Sequence, residues 1–152
     1  MKKQFIILVV FFALALCFIW GNSILSVEVS AKISTFISSM LADFVEPGID
    51  SGASYEFGLR KIAHFFEFCV LGVISSLLLR ICIPDSHISL PTLAFLGMFI
   101  AVIDETIQIF SGRHPAIRDV WIDIGGYVLG CIIVWAYLCL KSYLAKKRKK
   151  LP

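Results

Sequence analysis

The sequence predicts an all-α, polytopic membrane bundle of four transmembrane helices with an amphipathic segment on its outer surface. Three observations carry that prediction. Hydrophobic residues make up 59% of the 152 residues and charged ones 16%, against roughly half and about a quarter in ordinary soluble domains; the mean hydropathy is +0.88. Four apolar stretches, near residues 5–25, 59–81, 90–110 and 120–140, each supply the ~20 residues that a ~30 Å hydrocarbon core requires. A basic run, Lys146, Lys147, Arg148, Lys149 and Lys150, follows the last stretch, as cytoplasmic flanks of membrane helices do. Four spans occupy most of the chain, so residues 1–152 read as a single domain whose motif-bearing part is 59–141.

The first stretch begins after Lys2 and Lys3, and Val29-Ser30-Ala31 offers small residues for signal cleavage. Its apolar character runs on past Trp20 to Leu25, longer than the 7–15 residues usual for a signal-peptide core, which favours a retained helix. Residues 26–58 follow, with Glu28, Asp43, Glu46, Asp50 and Glu56 against Lys32 alone. Ile33, Phe36, Ile37, Met40, Leu41 and Phe44 recur there at helical spacing, as in a helix lying on the membrane surface or packed on the bundle. Glu46-Pro47-Gly48 ends that pattern, and residues 50–54 read as loop.

The second stretch is joined to the third by a short turn over residues 82–89, containing Pro84, Asp85 and His87. Residues 111–118 form the counterpart between the third and fourth stretches and carry Arg113, His114 and Arg118. With the basic tail inside, both termini are predicted to be cytoplasmic. The acidic 26–58 segment and the 111–118 loop then face outward, where the two arginines run against the positive-inside bias and call for acidic partners. In the fourth stretch, Gly126 and Gly130 form a G-x-x-x-G pair suited to close helix packing, within the chain or in a dimer. The five cysteines, at positions 17, 69, 82, 131 and 139, form no C-x-x-C pair and read as small apolar packing residues.

Ionisable groups inside these spans are the informative feature. Each costs at least ~2.5 kcal/mol at the bilayer centre, so such residues are functional candidates by default. Arg60, His64 and Glu67 recur at i, i+4, i+7 on one helical face. Asp104, Glu105 and Gln108 share another, and Asp119 and Asp123 lie one turn apart. At ~1.5 Å per residue Glu67 sits about 12 Å from Leu59, Asp104 about 9 Å from Phe110, and Asp123 about 6 Å beyond Asp119. Three helices therefore offer carboxylates at similar depth. Five acids (Glu67, Asp104, Glu105, Asp119, Asp123) face four bases (Arg60, Lys61, Arg113, Arg118), a near-balance that suits an ion-paired network in which crowded carboxylates can share a proton.

The combination Arg60-Lys61-x-x-His64-x-x-Glu67-Phe68 with Gly72, Asp104-Glu105-x-x-Gln108, Gly112-Arg113, and Asp119 followed by Gly126 resembles the VanZ-like family of small bacterial membrane proteins. The resemblance extends from Arg60 to Gly130. It implies a multi-pass protein of the bacterial cytoplasmic membrane and a link to low-level resistance to teicoplanin, a glycopeptide acting outside that membrane. Asp123 stands where the family usually has asparagine and Phe68 where tyrosine is common, so a role that needs a neutral amide at position 123 is not carried over.

Five readings of the constellation are open on sequence alone. Interhelical glue needs no chemistry. An enzymatic reading assigns Glu67, Asp104, Glu105 and His64 as catalytic acid–base candidates, acting for example on a lipid-linked phosphate. A binding reading makes Arg60, Lys61, Gln108, Arg113, Asp119 and Asp123 ligand contacts for a cell-envelope lipid, a peptide stem or a glycopeptide. A metal reading through His64, Glu67 and facing acids lacks HExxH-type spacing. Proton-coupled transport has little room in four short helices without a repeat. No nucleophile elbow, Ser-His-Asp order or phosphate-cradling glycine loop is present. The expected partner is the lipid bilayer, with no nucleic acid, no cofactor and no metal; oligomeric state is left open.

Overall fold

The computed structural model describes residues 2–25, 29, 32, 35–36, 53–83, 86–112 and 116–148. Its elements are α1 (Lys2–Ile24), α2 (Ala53–Cys82), α3 (Ser86–Phe110) and α4 (Ile117–Arg148), and the described residues contain no strand. Helices are the expected solution, because a chain in hydrocarbon must satisfy every backbone N–H and C=O from within. Lys2–Ile24, Arg60–Cys82, Leu90–Phe110 and Ile117–Arg148 are each long and apolar enough to cross a membrane.

Several boundaries differ from the sequence reading, because helices outrun their apolar stretches. Ala53 and Ser54, read as loop, already belong to α2. At ~1.5 Å per residue the 32 residues of α4 span about 48 Å, well beyond a ~30 Å core. Its last turn therefore lifts Lys146, Lys147 and Arg148 clear of the apolar part. The turn between α2 and α3 is also shorter than residues 82–89, since α3 starts at Ser86. Val29, Lys32, Thr35 and Phe36 are helical; the rest of the amphipathic segment and residues 113–115 lie outside the described residues.

The short connections make α2, α3 and α4 antiparallel neighbours. Ser111 Oγ donates to the Ser23 carbonyl at 2.8 Å, so α1 and α3 end at the same level. Ile19, Phe68, Leu71, Ile100, Ala101 and Tyr127 form a core to which all four helices contribute. Most other apolar side chains point outward, including Phe18, Phe66, Phe95, Ile132 and Trp135, as lipid-facing residues must.

α2 and α4 meet backbone to backbone. A Cβ on Gly126 would collide with the Phe65 carbonyl oxygen, one on Gly130 with that of Cys69, and one on Gly72 with that of Tyr127. The G-x-x-x-G face is thus spent within the chain. Gly112, at φ 75°, ends α3 in the left-handed conformation that glycine adopts without penalty. All five cysteines are free thiols; Cys69 is buried in the α2–α4 seam, whereas Cys17, Cys82 and Cys139, read as packing residues, are exposed on the bundle.

Candidate functional site

At the end of the bundle where α1 and α3 finish and α2 and α4 begin, the polar residues of the sequence constellation converge. Lys61 of α2 donates to Asp119 Oδ1 of α4 as an ion pair at the rim. One turn deeper, Asp104 of α3 is fully buried, at 0% exposure. It accepts from Ser23 Oγ at 2.7 Å and from Gln108 Nε2 at 2.8 Å. Glu67 of α2 accepts from Asn22 Nδ2 at 3.0 Å. His64 Nδ1 stands 3.8 Å from Asp104 Oδ2 and 4.0 Å from Glu67 Oε2, beyond hydrogen-bond reach of either.

Asp123 is 2% exposed, and its Oδ2 has no hydrogen-bond partner. Glu105 is buried nearby. A cleft with a cavity of about 20 Å³ opens among Arg60, Lys61 and His64 of α2, Glu105 and Gln108 of α3, and Asp119 and Asp123 of α4. Nine of the ten candidate residues are therefore gathered in one place. The tenth, Arg113, lies outside the described residues, as does His114. Arg118 is exposed on the first turn of α4.

Among the described residues, the charges around the cleft are less evenly matched than in the sequence count, which includes Arg113. Lys61 is committed to Asp119, and Arg118 does not line the cleft. Among the described residues the interior is therefore rich in carboxylates, with Arg60 and His64 as further basic groups around the cavity. Carboxylates withdrawn from water must be met by donors, protons or cations. Such a site suits proton transfer, a donor-rich ligand group or a cation. His64, Asp104 and Asp123 can each bring one ligand atom to within 4.8 Å of the others.

Two of the donors escaped sequence reasoning. Asn22 and Ser23 of α1 hold Glu67 and Asp104, and their only sequence signal is a pair of polar residues closing an apolar run. Neutral polar side chains in a span commonly mark an interhelical contact.

The VanZ/LLP1 family model matches residues 5–140, which takes in α1 with these two donors as well as the motifs between Arg60 and Gly130. The chain belongs to the VanZ/LLP1 family. No curated protein and no solved structure matches it. The match includes nearly the whole of the described bundle, so α1 is as much a part of this VanZ/LLP1 unit as the motif-bearing helices.

The donors from α1 lead to a direct expectation. Asn22→Ala and Ser23→Ala each remove one donor from a buried carboxylate, at a cost of about 1–3 kcal/mol. The double variant should lose more thermal stability in detergent than either single variant, though not additively, because the two acids flank His64 in one network. Wild-type melting behaviour for the double variant would show that α1 is not held by these contacts.

Proposed function

We propose that this VanZ/LLP1 protein works in the bacterial cell envelope, with its cleft facing outward, where it engages the polar portion of an envelope amphiphile and thereby changes susceptibility to glycopeptide antibiotics. The observation that carries this reading is a polar cleft opening between helices at one end of an otherwise apolar bundle. Phe110, Ile117 and Trp121, at 86%, 81% and 67% exposure, lie at that same end. A ligand with an apolar tail can lay it against these residues while its head enters between Arg60 and Asp119. The head meets carboxyl groups below, Glu67 and Glu105, which are placed to donate or accept a proton.

A cavity of about 20 Å³ holds roughly one water molecule. A larger head must therefore part the Lys61–Asp119 pair as it enters.

The test is expression in a glycopeptide-susceptible bacterium, with inhibitory concentrations and mass spectra of envelope lipids compared against the empty host. A several-fold rise in the inhibitory concentration is expected with the wild-type chain and none with Glu105→Gln at equal membrane abundance. An altered lipid species would identify chemistry, whereas an unchanged lipid profile with co-purified amphiphile would identify binding. The absence of both a susceptibility change and a bound or altered lipid would refute the proposal.

Outward orientation rests on the basic residues at the end of α4. A single cysteine at Gly112 in a cysteine-free background should react with an impermeant thiol reagent in intact cells, and one at Lys146 should not. The reverse pattern would move the cleft to the cytoplasmic face.

A further inference from the structure

His64, Asp104 and Asp123 come from α2, α3 and α4, and their ligand atoms all lie within 4.8 Å of one another. Two of these side chains are among the most buried of the described residues, Asp104 at 0% and Asp123 at 2% exposure. Asp123 supplies a second observation, because its Oδ2 is buried with no hydrogen-bond partner. Native proteins rarely leave such an oxygen unmet, and a bound ion is one of the few ways to meet it. The cavity of about 20 Å³ adjoins His64 and Asp123 and has room for roughly one water.

We propose that His64, Asp104 and Asp123 form a mononuclear binding site for a divalent transition-metal ion of the Zn²⁺ class, with the cavity supplying an open coordination position. An imidazole with two carboxylates suits such an ion better than Mg²⁺ or Ca²⁺, which prefer all-oxygen shells. Three protein ligands with one open position is the arrangement of reactive rather than purely structural zinc centres. At metal–ligand distances of ~2.0–2.2 Å, tetrahedral ligand atoms lie about 3.4 Å apart. The observed spread therefore requires side-chain movements of only about 1 Å. Ser23 and Gln108, which donate to the two oxygens of Asp104, are the outer partners that orient a metal-bound carboxylate.

A divalent cation also answers the acidic excess of the cleft, since Glu67 and Glu105 add to the two ligand carboxylates. No sequence motif announces the site, because its ligands lie on three helices. The inference stands apart from the envelope reading: metal binding without any effect on glycopeptide susceptibility would leave it intact.

The full chain, purified in nanodiscs and stripped with chelator, should take up one Zn²⁺ per chain from ZnCl₂ and retain it through gel filtration. Asp123→Asn and His64→Ala should each weaken binding by at least about tenfold, a loss that even an outer-partner substitution can cause. Wild-type protein loaded with Co²⁺ should show d–d bands without thiolate-to-cobalt charge transfer, which excludes adventitious binding by the five cysteines. Failure of the wild-type chain to retain Zn²⁺, equal affinity in wild type and folded variants, or a thiolate band would each overturn the site. Uptake of Mg²⁺ or Ca²⁺ in preference to Zn²⁺ would overturn the metal class. If neither variant is recovered folded, the Co²⁺ spectrum of the wild type decides alone.

Discussion

Gly126→Leu is expected to unfold or grossly loosen the bundle, lowering stability by about 3 kcal/mol or more, at the upper end of overpacking costs. The atom that a side chain at position 126 would strike is the backbone carbonyl oxygen of Phe65, which cannot rotate aside. α2 and α4 would have to move apart, withdrawing Tyr127 from the core and separating Lys61 and His64 from Asp119 and Asp123. Gly125→Leu is the matched control, because a Cβ there meets only the Phe65 ring edge, at 3.6 Å. Thermal aggregation of the detergent-solubilised proteins should place Gly126→Leu far below wild type and Gly125→Leu close to it. Equal midpoints for the two variants would mean that the glycine contact is not what sets the helix separation.

Asp104→Asn should abolish function while leaving the protein folded and abundant. Its side-chain oxygen can still accept from Ser23, and its new NH₂ can be met if Gln108 turns its amide over, since Gln108 offers both donor and acceptor. The structural cost is then that of one re-made hydrogen bond, about 1 kcal/mol. The negative charge 3.8 Å from His64 Nδ1 is lost altogether. Susceptibility assays on cells matched for membrane abundance should score Asp104→Asn like the empty host. Activity equal to wild type would reduce the network to interhelical glue, and activity that falls only in step with abundance would do the same.

The fold was legible because hydrocarbon is a demanding solvent: a run of 20 apolar residues leaves few other structures open. The i, i+4, i+7 spacing of Arg60, His64 and Glu67 and the matched depths of Asp104 and Asp123 were likewise enough to bring them to one end. Hydropathy was silent on helix ends that leave the apolar layer, which is why the first turn of α2 and the last turns of α4 fell outside the apolar stretches. It was silent too on Asn22 and Ser23, whose small transfer cost hardly perturbs an apolar run. Pairing was the other illegible quantity. Counting acids against bases treated Lys61 and Arg118 alike, yet one closes the rim on Asp119 and the other is exposed and does not line the cleft. That distinction depends on helix rotation, which the glycine contacts of α4 set; the G-x-x-x-G pattern marks the contact face but not the helix it meets.

The two donors on α1 bear on the order in which the chain enters its membrane. Synthesis delivers α1 first, so Asn22 and Ser23 are in place before either acid they will serve has left the ribosome. Glu67 and Asp104 each face an insertion penalty that rises toward ~2.5 kcal/mol at the bilayer centre if they enter the hydrocarbon alone. In the folded bundle α1 presents a hydrogen-bond donor to each, which offsets part of that penalty for α2 and α3.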